Sequence, residues 1–470
     1  MLFSSIEFFV IFLSAVILLY FVLPKKCRNT VLLLFSLVFY AWGEPIYVLL
    51  MLFSILLNWL SGLCIHKSKG DKGKKAALVV SVVINLSLLG FFKYSDFVIT
   101  NINSIFKTEI ATLEIALPIG ISFFTFQAMS YVIDVYRKTA DVQKNILNFG
   151  LYISLFPQLI AGPIVRYSTV AEEINNRSVS VELAAKGIKR FVIGLAKKVL
   201  LANTAGEIFE AAQNAGDDST LVLCWLGAIC YMLQIYFDFS GYSDMAIGLG
   251  KIFGFNFLEN FEHPYIATSI TDFWNRWHIS LSTWFKEYVY IPLGGNRHGK
   301  LKQARNILIV WMLTGLWHGA SWNFVLWGLY YGILLLLEKF VTGKILRKLP
   351  KFLSHIVTLF IVLIGWVIFA FDDTAAMLEF FGGMFGQNAL FNDYTRGILL
   401  SNIAFLVIAI VGTTNHPAEI SRKFCEKLTK ISTTTVPVAI TEAVWYVAIF
   451  GVTFAFLVSS TYNPFIYFRF

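Results

Sequence analysis

I-L-I-V-W-M-L-T-G-L-W-H-G-A-S-W-N-F-V-L-W-G-L-Y-Y-G-I-L-L-L-L, running from Ile307 to Leu337, is almost wholly apolar and is flanked by Arg305 on one side and Lys339 on the other. Basic residues gather on the cytoplasmic side of a membrane, so both flanks read as cytoplasmic. A run with both ends on one side must enter the bilayer and return. Glycine and serine interrupt the apolar pattern in W-H-G-A-S-W, Trp317 to Trp322, which places the bend there and His318 at its apex. A charged side chain at membrane depth costs roughly 2.5 kcal/mol or more, so an ionisable group held there is a candidate for function. Imidazole suits proton transfer near neutrality. Gly315, Gly319 and Ala320 beside it would let a substrate or another helix approach closely. The structural alternative is a buried histidine whose nitrogens hydrogen-bond neighbouring helices.

The rest of the chain fits that setting. Its 470 residues are 57% hydrophobic and 14% charged, a composition that no water-soluble surface accommodates and that excludes a disordered chain, a coiled coil or a disulfide-stapled module. Apolar runs of spanning length recur from end to end, so residues 1–470 read as one all-α polytopic membrane unit with roughly ten to twelve crossings. The net charge of +9 is accounted for by inner-side clusters, among them Lys25 to Arg28, Lys67 to Lys75, Arg297 to Arg305 and Arg422 to Lys430. Nucleic acid is not expected as a partner. Lys25, Lys26 and Arg28 follow the first apolar run instead of preceding it, the reverse of a cleavable leader, so Phe8 to Leu23 is expected to stay. Both ends then lie outside, and the closing T-Y-N-P-F-I-Y-F-R-F, residues 461–470, is expected to be extracytoplasmic.

The segment 259–305 is too polar to cross. Between Trp274 and Tyr288, at helical spacing, Trp274, Trp277, Leu281, Trp284, Phe285 and Tyr288 share one face, opposite Arg276, Thr283 and Glu287. The pattern predicts one amphipathic helix on the cytoplasmic side, ended by Pro292, Gly294 and Gly295. His278, at the edge of its aromatic face, is placed to orient a substrate near His318; its alternative is an ordinary interfacial histidine. D-F-S-G-Y-S-D puts Asp238, Ser240, Tyr242 and Asp244 between two apolar runs, where they bind a polar substrate or brace a broken helix. Gln127, Ser130, Asp134 and Arg137 recur at helical spacing and form a polar stripe. Trp274, Trp277, Trp284, Trp317, Trp322, Asn323 and Gln127 complete the candidate substrate contacts. Five scattered cysteines and the remaining histidines show no metal-ligand spacing, and no metal is expected.

Six segments together resemble the membrane-bound O-acyltransferase family, in its bacterial branch that serves alginate and peptidoglycan O-acetylation and, more distantly, teichoic-acid D-alanylation. They are Ser122 to Arg137, F-P-Q-L-I-A-G-P-I-V-R (Phe156 to Arg166), D-F-S-G-Y-S-D-M-A-I-G, Trp274 to Arg297, L-T-G-L-W-H-G-A-S-W-N-F-V-L-W-G (Leu313 to Gly328) and the closing N-P-F-I-Y-F-R-F. The resemblance implies a ring of transmembrane helices around a central funnel, with His318 as catalytic histidine and His278 as its usual companion. It also implies that an acyl group, acetyl by analogy, passes from a cytosolic thioester (acetyl-CoA or an acyl carrier protein) to an extracytoplasmic polysaccharide. No bound cofactor is implied. An extracytoplasmic SGNH-type transferase or esterase is the implied partner and the bacterial inner membrane the implied location. The tail matches an F-x-Y-F-type motif for which an acyl-tyrosine relay has been proposed, which nominates Tyr467 as a covalent carrier. A transporter or flippase using Asp238 and Asp244 as its path is the rival reading, weakened by the lack of paired broken helices in two halves.

Overall fold

The computed structural model describes all residues except Leu2, Arg347, 432–435, 461–464 and 467–470, and the side chains of 429–431. The described residues are helical apart from loops and two isolated bridges, Thr220 with Ala389 and Phe261 with Trp277. They form two compact units. The first comprises Met1–Phe191 with Tyr242–Glu259, and the second Val192–Gly241 with Asn260–Phe470.

The first unit is built from α1 (Phe8–Val22), α2 (Arg28–Gly43), α3 (Val48–Lys67), α4 (Asp71–Phe106), α5 (Ile121–Arg137), α6 (Ile146–Ser154) and α7 (Tyr167–Asn176), with most of α8 (Val181–Ala196). Phenylalanines fill its core: the Phe12 ring lies 5.3 Å from Phe39 and 5.1 Å from Phe156. Between α3 and α4 the buried amides of Asn58 and Asn85 exchange hydrogen bonds of 2.9 and 3.1 Å, and Ser81 Oγ donates to Asn58 Oδ1. Two apolar helices in lipid gain little from the hydrophobic effect on association, so such amide pairs and close packing hold them together.

The second unit holds α9 (Asn203–Gln213), most of α10 (Leu221–Ile252), α11 (Ile270–Arg276), α12 (Ile279–Phe285), α13 (Lys300–His318), α14 (Trp322–Leu337), α15 (Lys351–Ala370), α16 (Thr374–Met384), α17 (Asp393–Gly412), α18 (His416–Ile431) and α19 (Val436–Ser459). The chain leaves α13 at His318 and re-enters a helix at Trp322, within the W-H-G-A-S-W bend. The two arms of this hairpin meet backbone to backbone. A Cβ added at Gly315 would collide with the Phe324 carbonyl oxygen, and one at Gly328 with that of Trp311. Only glycine permits so close a crossing.

Seven described helices are long and apolar enough to cross a bilayer: Val48–Lys67, Asp71–Phe106, Leu221–Ile252, Trp322–Leu346, Lys351–Ala370, Asp393–Gly412 and Val436–Ser459. The chain is a multi-pass membrane protein. Shorter or more charged helices such as α1, α2 and α13 stand beside these seven, against an expectation of roughly ten to twelve crossings.

The segment 259–305 departs from expectation. One amphipathic helix was predicted through Trp274–Tyr288, but α11 stops at Arg276 and α12 starts at Ile279. Residues 260–262 pair with this junction: Glu262 N–H donates to Arg276 O and Ile279 N–H to Asn260 O, at 3.0 and 3.1 Å. That pairing pulls the backbone out of helical geometry, and His278 sits at the corner in the left-handed region, φ 45°. Helical spacing could not register the break because the aromatic residues on both sides of it are buried all the same.

Candidate active site

His318 ends α13 and is 5% exposed. Three aromatic rings present themselves edge-on or nearly so: Trp317 at 5.0 Å, Trp327 at 5.1 Å and Phe369 at 5.2 Å between centroids. Such walls fix the imidazole plane and keep bulk water off it. His278, 1% exposed, lies 6.0 Å from the same Trp317 ring. The two histidines, forty residues apart in sequence, line one cavity of about 300 Å³. Its walls include Trp274, Trp277, Trp311, Thr314, Lys286 and Tyr290. It is mostly apolar with a few polar groups, the usual make-up of a small-molecule site.

Asn260 sets the chemistry of His278. Its Oδ1 accepts from the Ser280 main-chain N–H at 3.1 Å and from Ser280 Oγ at 2.9 Å. Since a main-chain N–H can only donate, that atom is the amide oxygen, and His278 Nδ1, 3.3 Å away, carries the proton. Nε2 then bears the lone pair. His278 lies outside the spanning helices, and burial pushes its pKa down to about 3, so the ring is neutral. A neutral imidazole in this tautomer accepts a hydrogen bond at Nε2. It is suited to positioning an N–H or O–H group, whereas polarising a carbonyl requires a donor.

The other predicted residues divide. Trp274 and Trp277 line the cavity and belong to a cluster with Trp311, Trp327, Tyr331 and Trp366; the Trp274 ring is 4.7 Å from Trp311 and the Trp277 ring 4.7 Å from Trp366. The Trp317 ring contacts both histidines. Trp284 is buried against Phe285 and Tyr288 away from the cavity lining, and Trp322 is 57% exposed. Asn323 is fully buried and spans a helix junction, donating to Phe371 O at 2.7 Å and accepting from Thr374 Oγ1 at 2.8 Å.

The D-F-S-G-Y-S-D residues do not act as one site. Asp238 pairs with Lys198 at 2.8 Å in the second unit, where Ser240 is also buried. In the first unit, Asp244 pairs with Arg190 at 2.8 Å and the Tyr242 ring stacks on Phe3 at 4.7 Å. Arg190 also holds Glu259. Gln127, likewise in the first unit, donates to Tyr152 O at 2.7 Å, and Ser130 Oγ to Gln127 O, so at these two positions the polar stripe satisfies backbone. Tyr467 lies outside the described residues.

Two groups escaped sequence reading. Asn260 gives no signal, because an asparagine in a polar loop is unremarked. Lys198 could have been found: Lys197 and Lys198 interrupt the apolar run from Phe191 to Ala202, and a charge there demands a partner.

Comparison with known proteins gives the family. Residues 139–378, which contain both histidines, match the model of MBOAT, the membrane-bound O-acyltransferase family. The probable alginate O-acetylase AlgI of Pseudomonas aeruginosa is 41% identical over 432 residues, covering 88% of this chain and 81% of that protein. The peptidoglycan O-acetyltransferase of Helicobacter pylori is 37% identical over 83% of this chain and 81% of its own length. The teichoic acid D-alanyltransferase of Bacillus subtilis is 29% identical over 54% of this chain and 68% of its own. The transporter reading is set aside, since Asp238 and Asp244 are each engaged by a basic partner and the relatives are transferases. The chain belongs to the membrane-bound O-acyltransferase family and is a membrane O-acyltransferase.

Proposed function

We propose that this enzyme takes an acetyl group from a cytosolic thioester, acetyl-CoA or an acyl carrier protein, and passes it through the bacterial inner membrane for O-acetylation of an extracytoplasmic polysaccharide. The single observation carrying the reading is that His318 and His278 line one cavity within the segment matching the family. Relatives named for alginate and peptidoglycan acetylation support the acceptor class.

His318 is the general base. Its imidazole takes the proton of an attacking hydroxyl as the oxygen adds to the thioester carbonyl; the C–S bond then breaks, and the imidazolium returns the proton to the departing thiolate. Assistance of this kind contributes about 10²- to 10⁴-fold. His278, through Nε2, accepts from the hydroxyl or from a donor amide and fixes it against His318. Lys286, exposed and at the cavity wall, attracts the anionic end of the donor. If Arg305 marks the inner headgroup level, the thirteen residues from Asn306 to His318 carry the base roughly 20 Å into the membrane, within reach of both faces. A base at that depth lets acyl pass without opening a water-filled channel. The onward carrier is Tyr467 of the tail or a serine of an SGNH-type partner.

The test is His318→Ala in purified protein supplied with acetyl thioester. Transfer is expected to fall at least 10²-fold with insertion and melting temperature unaltered; retained transfer rejects the assignment. Unaltered polysaccharide acetylation in Tyr467→Phe rejects the tyrosine relay.

A further inference from the structure

The carboxylate that the sequence offers as a substrate ligand is already occupied. Asp238 lies seventeen residues into α10, roughly 26 Å along a spanning helix. Its Oδ1 is 2.8 Å from Lys198 Nζ, with both side chains nearly inaccessible. Its Oδ2 accepts the main-chain N–H of Ile466 at 2.9 Å, from a residue 228 positions later. The preceding Phe465 is buried, and Lys198 Nζ stands 6.0 Å over its ring. Since α19 ends at Ser459, only six residues separate that helix from Ile466. The described residues of the tail, Phe465 and Ile466, are therefore packed within the second unit.

A lone carboxylate at this depth would be costly, and one lysine does not satisfy every lone pair. The remaining donor comes from the end of the chain. We propose that the Lys198–Asp238 pair is a receptor for the chain's own C-terminal segment, and that it positions that segment for acyl transfer. Only the purpose of the docking rests on the acyl-transfer reading; the docking itself rests on the contacts to Phe465 and Ile466. A main-chain donor fixes the register of the tail at Ile466 independently of its side chains.

Hydrogen exchange of the full-length protein, followed by mass spectrometry of its C-terminal peptide, reads the docking. The Ile466 amide is expected to exchange at least 10-fold more slowly than in the charge-free double variant Lys198→Met, Asp238→Leu, which avoids leaving one charge buried alone. Equal exchange in the two proteins overturns the receptor. Ile466→Pro removes the single donor and leaves the ion pair in place, while Ile466→Ala keeps it. Polymer acetylation in producing cells is expected to fall at least 10-fold in Ile466→Pro and to hold in Ile466→Ala, at equal melting temperature. Acetylation unaffected in Ile466→Pro overturns the positioning role. Failure of the acyl-transfer reading itself would show separately, as activity surviving His318→Ala, and would leave the exchange result standing.

Discussion

Gly315→Ala tests whether the hairpin crossing is what holds His318, the proposed base, in place. Gly315 lies one turn before His318 and faces α14. An added Cβ there would fall on the Phe324 carbonyl oxygen and come within 3.1 Å of its carbon and 3.3 Å of the Gly328 Cα. All three are backbone atoms, so no side chain can swing aside, and relief requires the two helices to part by roughly 1 Å. Overpacking of this kind costs about 1 to 3 kcal/mol. The catalytic cost is larger, because misplacing a reacting group by about 1 Å is worth on the order of 10²-fold in rate. The assay is acetyl transfer by purified protein, measured beside thermal unfolding in the same detergent. Gly397→Ala and Gly451→Ala are matched controls: both are helical, and a Cβ at either meets nothing within 4 Å. They should keep their rate and gain up to about 1 kcal/mol, since glycine in a helix interior is destabilising. A Gly315→Ala protein as active and as stable as the Gly397→Ala control would show that the arms are not in contact as described.

Asn260→Ala removes the acceptor that holds the His278 proton on Nδ1; transfer should drop about 10-fold or more while melting temperature falls by only a few degrees, and an unchanged rate would dissociate the tautomer from the reaction. Lys286→Gln should raise the KM for a thioester donor and leave kcat nearly constant, the pattern of lost uniform binding, so a fall in kcat alone contradicts its proposed role in attracting the donor. Asn323→Leu strands the Phe371 carbonyl and the Thr374 hydroxyl and should destabilise by about 1 to 3 kcal/mol with the activity per folded molecule retained, which distinguishes a brace from a substrate contact.

Much of the architecture was legible because a bilayer leaves the backbone few options. A spanning run must be helical, and basic residues mark one side. The bend at Trp317–Trp322 could be read from local composition for the same reason. The break at His278 could not, since it arises from the pairing of residues 260–262 with the α11–α12 junction, a contact that helical periodicity does not encode. The D-F-S-G-Y-S-D cluster was misleading in the opposite way. Its residues are close in sequence, but successive positions on a helix point in different directions, so Asp238 and Asp244 meet different partners in different units.

The amino-acid order alone decided that the chain lives in a membrane, that it is helical, and that His318 stands at a turn between two apolar arms, because hydrophobicity, charge and glycine placement act locally. Long-range packing decided the rest. It brought His278 to the same cavity, gave that ring an asparagine to orient it, and used the carboxylate of Asp238 to hold Lys198 and the backbone of Ile466. A buried polar group takes whichever partner the fold delivers, and partners 18, 40 or 228 residues away leave no periodic trace in the sequence that joins them.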